Sequence, residues 1–204
     1  QSVGFMSDRW IVLASRSPRR RSLLEGAGWR VDVRVPVIDD GDLEPQHTTA
    51  SEWTTALAWL KARAVRDVVL AEGGELTEWP IVAGDTVCEH HGELLGQPAD
   101  AAAAAHMIRG LRSAAHRVWT GLCVLRPGQE RRIGAIHAVV TLGDVSDAEI
   151  DQYVGSGAWK GKAGGYNLSD RIEAGWPIRY SGESSTIMGM PMPLLERLMK
   201  DDRP

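Results

Sequence analysis

The chain passes from strand to helix across Leu13-Ala14-Ser15-Arg16-Ser17-Pro18-Arg19-Arg20, and this handover constrains the fold more than any other stretch. The apolar run before it, Trp10-Ile11-Val12-Leu13, reads as a buried strand. Ser22-Leu23-Leu24-Glu25-Gly26-Ala27-Gly28 follows and reads as a helix closed by glycine. Ser17 is a good N-cap, and Pro18 suits the first helical turn. Hydroxyls and several guanidinium groups therefore gather where N–H groups are free and the helix dipole is positive. Such a place favours an anion. Arginine's planar fork suits phosphate oxygens in particular. A capped helix with a solvated basic first turn would show the same local pattern.

The 204 residues suffice for one large domain with a sizeable core, and we expect a single domain over residues 1–204. Residues 1–6 read as an expression remnant or a disordered start, with Met6 as the natural beginning. Hydrophobic residues make up 43% and charged residues 25%, as in ordinary soluble domains. A net charge of −4 and the lack of a basic-aromatic stripe argue against a nucleic-acid partner. No apolar stretch approaches the roughly 20 residues of a membrane span, so no membrane partner is expected. Cys88 and Cys123 follow no metal-binding spacing and read as buried free thiols of a cytoplasmic protein.

Val31 to Val37 alternates as a second strand, and Ile38-Asp39-Asp40-Gly41-Asp42 makes an acidic loop. The spacing of Trp53, Leu57, Leu60 and Ala64 predicts a long helix from about Ser51 to Ala71. Pro80 to Gly84 is expected to be a short buried strand, with Asp85-Thr86 at its carboxyl end. His90-His91-Gly92 reads as a hairpin tip between Thr86-Val87-Cys88 and Glu93-Leu94-Leu95, and Pro98 to Leu111 as an alanine-rich helix. Ala115–Leu125 and Arg131–Leu142 read as two long strands. Ser146-Asp147-Ala148-Glu149 opens a helix with a capping box, and Pro193 to Lys200 is a short amphipathic helix. The irregular mixture predicts an α/β or α+β mixed sheet.

Four groups of residues could converge on one site: the Ser15–Arg20 cradle, Asp39 and Asp40, Gly84-Asp85-Thr86, and Lys162 among the glycines 161, 164 and 165. Cations for an anion and carboxylates for a hard cation suit metal-assisted phosphoryl chemistry with Mg²⁺ or Mn²⁺. The histidines form no metal pattern. Trp159 and Trp176 flank the glycine-rich block and are candidates to stack a base, with core packing as the plainer use.

These residues resemble the Maf family of nucleoside triphosphate pyrophosphatases. Leu13 to Arg20 is similar to the family's opening signature, and further blocks follow in order. They are Ile38-Asp39-Asp40, Leu60-Lys61-Ala62, Gly84-Asp85-Thr86, Gly92 to Pro98, His116 to Gly121, Lys162 to Tyr166, and Ile187 to Pro191. The resemblance covers about residues 11 to 195. It implies an elongated mixed sheet with flanking helices and a cleft between two lobes, related to the inosine triphosphate pyrophosphatases. It implies hydrolysis of a nucleoside triphosphate to the monophosphate and pyrophosphate with a divalent metal. Asp85 would be the general base or the organiser of the attacking water, and Asp40 and Asp85 would hold the metal. Ser15, Arg19, Arg20, Lys61, Gln97 and Lys162 would meet the phosphates. A homodimer is suggested as well.

Two positions depart from the family's pattern. Gln97 stands where a lysine is usual, which removes a charge. Ser169 matches neither of the residues usual at a specificity position. The other two specificity positions, Arg19 and Thr86, resemble the dTTP/UTP type. The expected function is a pyrophosphatase leaning to pyrimidine substrates. The alternative is a nucleotide-binding regulator of cell division with little turnover.

Overall fold

The computed structural model describes residues 9–38, 43 and 48–200. Asp39 and Asp40 therefore lie outside the described residues, as does most of the acidic loop. Seven strands form one mixed sheet: β1 (Trp10–Ala14), β2 (Arg30–Arg34), β3 (Ile81–His90), β4 (Glu93–Leu95), β5 (Ala114–Leu125), β6 (Arg132–Leu142) and β7 (Ile178–Ser181). The order across the sheet is β2-β1-β3-β5-β6-β7, with β4 also on β3. The pairs β1–β2 and β1–β3 are parallel, and the rest are antiparallel. The helices are α1 (Pro18–Gly26), α2 (Ala50–Glu72), α3 (Ala101–Leu111), α4 (Asp147–Gly155), α5 (Leu168–Glu173), α6 (Ser184–Ile187) and α7 (Met192–Met199).

Local chemistry explains the boundaries. Ser17 caps α1 by accepting from the Arg20 N–H, with Pro18 at the first position. Thr49 with Glu52, and Ser146 with Glu149, close reciprocal capping boxes on α2 and α4. His91 (φ 51) and Gly92 (φ 82) make the tight turn between β3 and β4. Helix α5, strand β7 and helix α6 were not anticipated. They have four to six residues each, too short for a hydrophobic period to register.

One face of the sheet is covered by α2. Ala58, Ala62, Val65 and Val69 pack there on Val12, Ala14, Ala83 and Cys123. Gly121 on β5 makes this approach possible: a Cβ there would lie 2.5 Å from the Thr54 carbonyl carbon. The other face carries two separate apolar clusters. Helices α1 and α7 cover Ile11, Leu13, Val82 and Leu122 at one end. Helices α3, α4 and α5 cover Cys88, Val118, Val140 and Leu142 at the other. Period-2 alternation puts Gly84, Thr86 and Thr120 on this same face, in the seam between the clusters. The two clusters and the seam correspond to the two expected lobes and their cleft.

The expected short strand at Pro80–Gly84 and the hairpin strand at Thr86-Val87-Cys88 are one element: β3 runs unbroken from Ile81 to His90. Its continuation is sustained by β5, which pairs with every residue from Ile81 to Glu89. On the other edge, β1 pairs only with Ile81–Ala83 and β4 only with Cys88–His90. Residues 84–87 thus have no strand neighbour on that edge. Asp85 and Thr86 stand at a gap inside a strand, with their side chains on opposite faces.

Candidate active site

A cleft of about 1000 Å³ opens at this gap. It brings together Ser15, Arg19, Arg20, Lys61, Asp85, Thr86, Gln97 and Lys162, which are distant in sequence. Arg16 and Lys160 add further positive charge, and Asp170 is the other described carboxylate lining it. The cleft is therefore strongly cationic in a chain of net charge −4. Ser169 is not among the lining residues, although Asn167, Leu168 and Asp170 are. Its backbone N–H donates to Asn167 Oδ1 at 3.1 Å, closing the first turn of α5.

Asp85 points to the α2 face, where its Oδ1 lies 2.5 Å from Lys61 Nζ. Both side chains are mostly buried, at 14% and 17% exposure, so the pair is poorly screened. Lys61 comes from the middle of α2, which the Gly121 contact seats close to the sheet.

Arg20 lies on the opposite face and is held on three sides. Its Nε–H donates to Gly189 O at 2.7 Å, Nη1 to Ser15 Oγ at 3.3 Å and Nη2 to Thr86 Oγ1 at 3.2 Å. Gly189 has φ 88, and a Cβ there would meet Thr86 Oγ1 at 3.1 Å and Arg20 Nε at 3.2 Å. Burial lowers the pKa of Arg20, the Asp85 charge opposes that shift, and Arg19 adds to it. Arg20 is thus part of the framework as well as a source of positive charge. Ser15 is buried, and both of its lone pairs are used, by Ser17 N–H at 3.1 Å and by Arg20. Its hydroxyl proton is left to donate, which suits a phosphate oxygen.

Arg19 and Lys162 line the cleft with no ion pair or hydrogen bond from their charged groups among the described residues. Lys162 is lowered in pKa by burial first and then by Arg19. An arriving anion would relieve both effects. Gln97 is exposed at the rim.

His116 lines the inner end of the cleft, buried, with Nε2 2.9 Å from Tyr166 Oη. Burial pushes it down to about 4, with His90 contributing, so it is neutral near pH 7. Trp159 and Trp176 are both 6% exposed and belong to the distal apolar cluster. The base-stacking expectation for them is overturned, because their rings are consumed by the core. Trp53 on α2 lines the cleft instead. Sequence reading placed it on the helix's apolar stripe and saw no further use for it.

Thr120 was missed as well. Its hydroxyl lies 2.8 Å from Thr86 Oγ1 and donates to Thr186 O at 2.9 Å. The one available signal was a hydroxyl at an inward position between Val118 and Leu122.

A family model described as Maf-like protein matches residues 10–202. A dTTP/UTP pyrophosphatase of Salinibacter ruber is 35% identical over 191 residues, covering 93% of this chain and 89% of its own. A dTTP/UTP pyrophosphatase of Deinococcus radiodurans is also 35% identical over 191 residues, covering 93% and 91%. Among solved structures, the Ham1 protein of Staphylococcus aureus aligns over 66% of this chain and 72% of its own. That alignment has 16% identity and a TM-score of 0.42.

Proposed function

The chain belongs to the Maf-like protein family, and on that premise we propose that it hydrolyses nucleoside triphosphates to the monophosphate and pyrophosphate, with a preference for dTTP and UTP. The observation that carries this reading is the Lys61–Asp85 pair set in a cleft otherwise rich in cations.

A triphosphate entering the cleft meets Ser15 as a hydroxyl donor and Arg19 and Lys162 as charges not yet matched. Its oxygens compete with Asp85 for Lys61. Once Lys61 turns to phosphate, the Asp85 carboxylate is free to accept a proton from water. That water attacks phosphorus, the bridge between the α- and β-phosphates breaks, and pyrophosphate leaves with its charge held by the cations. Ground-state neutralisation of Asp85 thus gives way to a base in place only when substrate is bound.

The donor set fits a divalent metal carried in with the nucleotide. Among the described residues no group of three or more acidic, histidine or cysteine side chains could cage an ion. Mg²⁺ and Mn²⁺ are commonly held by one or two carboxylates and substrate phosphates. Asp85, with Asp40 outside the described residues, would supply the protein's share. When bound, the ion would neutralise charge on the phosphates and acidify a coordinated water.

Pyrophosphate release should be measured over a panel of nucleoside triphosphates with Mg²⁺ or Mn²⁺, for wild type and Asp85→Asn. We expect dTTP and UTP to lead and the substitution to lower turnover by about 10²- to 10⁴-fold. Nucleotide binding without turnover in the wild type would overturn the enzyme reading in favour of a binding regulator.

A further inference from the structure

We propose that a groove between α2 and the β5–β6 connection binds an oligophosphate anion, a di- or triphosphate, at a site separate from the active cleft. The groove has a volume of about 640 Å³. It is lined by Trp59, Arg63 and Arg66 of α2 and by Arg126, Glu130 and Arg131 between β5 and β6. No described residue lines both this groove and the cleft. The groove would take such an anion whatever reaction the cleft performs.

Helix geometry separates the two sites. Ala58, Ala62, Val65 and Val69 form the stripe of α2 that packs on the sheet. Leu57 and Lys61 each precede one of those residues and lie about 100° to one side of the stripe, facing the cleft. Trp59, Arg63 and Arg66 each follow one and lie about 100° to the other side. The turn between β5 and β6 stands against that second side and makes it concave. This basic-aromatic patch is assembled from two segments remote in the chain, which is why no such stripe shows in the sequence.

Four guanidinium groups meet one lining carboxylate, Glu130. Their present partners are weak. Asp67 lies 3.9 Å from Arg63 Nε and 3.5 Å from Arg66 Nη2, in an exposed setting where such pairs contribute little. Arg131 makes no hydrogen bond or ion pair among the described residues. Its guanidinium lies over the Trp59 ring, 4.8 Å from the centroid, and that of Arg63 lies 5.6 Å from the same ring. Trp59 is half-buried and anchored on the apolar cluster beneath α2. Stacking uses the face of a guanidinium and leaves its N–H edge turned outward. Burial pushes the Cys123 thiol on β5 up to about 12, and Arg131 and then Arg66 act against that shift, so both charges stand near one point of the sheet. Arg126 is tied to the end of α7 through Met199 O at 3.3 Å. Several forks around one groove suit an anion with several charges on phosphate, where each fork can take two oxygens. The volume is that of a small-molecule pocket, which favours a compact anion over an extended strand.

The test is calorimetric titration with tripolyphosphate, without divalent metal, of the wild-type protein and two double variants. Arg66→Glu with Arg131→Glu reverses two charges in the groove, and Arg19→Ala with Lys162→Ala weakens the cleft. We expect the groove variant to lose one bound equivalent, or about tenfold or more in its affinity, as for loss of a charge-assisted bond. The cleft variant should keep that equivalent. An isotherm that the folded groove variant leaves unchanged would overturn the proposal. Should charge reversal prevent folding, Arg66→Gln with Arg131→Gln takes its place under the same criterion. A parallel titration with α,β-methylene-UTP identifies the source. A second equivalent that the groove variant loses supports a nucleotide's phosphate tail as ligand, and binding confined to the cleft supports a free oligophosphate. A groove that takes a single-stranded oligonucleotide and gives no heat with tripolyphosphate would overturn the assignment.

Discussion

Gln97 and His116 illustrate two different single-residue effects in the same cleft. Gln97 is exposed at the rim, where the family resemblance implies a lysine. A charge-assisted bond to phosphate contributes about 1.5–3 kcal/mol. Gln97→Lys should therefore raise kcat/KM for the best substrate by roughly ten- to a hundredfold. An unchanged value would show that the missing charge limits nothing. His116 is kept neutral by burial, with its value pushed down to about 4 from the ordinary 6.5. Protons bind the unfolded chain first, so this stability is full above pH 6.5 and drains as pH falls towards 4. The loss amounts to roughly 3 kcal/mol at most. Denaturant melts at pH 7 and pH 4.5 should show a smaller acid loss for His116→Gln than for wild type. At this scale the sequence was legible for Ser15, Arg19, Asp85 and Lys162, whose chemistry is visible in the residue type, and for Lys61 only through the family resemblance. It was not legible for Thr120, whose contacts with Thr86 and Thr186 exist only in the folded chain.

The elements show where close approach was decided. Helix α2 meets the sheet over Gly121, and a methyl group there would collide with helix backbone. Backbone cannot rotate away as a side chain can, so Gly121→Ala should cost about 1–3 kcal/mol. A thermal melt should fall by several degrees. A melt within one degree of wild type would mean that α2 shifts at little cost. The Thr49 cap is a milder case: Thr49→Ala removes the acceptor for the Glu52 N–H and should cost about 1 kcal/mol. The Ser146–Glu149 capping box, the alanine-rich α3 and the β3–β4 turn were readable because each is written in contiguous residues. The continuity of β3 was not. Its second half is held by β5, some thirty residues away in sequence, rather than by local preference.

For the whole molecule, the seam between two apolar clusters is the organising feature. One wall of the cleft follows β1 into α1, and the other is built from the segment leading into α5. A ligand gripped by Ser15 and Lys162 touches both. A non-hydrolysable triphosphate should therefore raise unfolding free energy by about 2.7 kcal/mol at a hundred times its Kd. No shift in the melting temperature at saturation would deny a shared site. No helix among the described residues is long and apolar enough to cross a membrane.

The sequence by itself determined the strand-to-helix cradle, the cap of α1, the mixed sheet and the residue types of a cationic cleft. Those follow from local propensity, period and charge, which act over a few residues. Only the tertiary structure decided that β3 is left uncovered between Ala83 and Cys88, and that Asp85 and Thr86 face opposite sides of it. Only there does Arg20 reach Ser15, Thr86 and Gly189 together. Hydrogen-bond polarity is set by which groups are brought within about 3 Å, and that is a property of packing between segments remote in the chain.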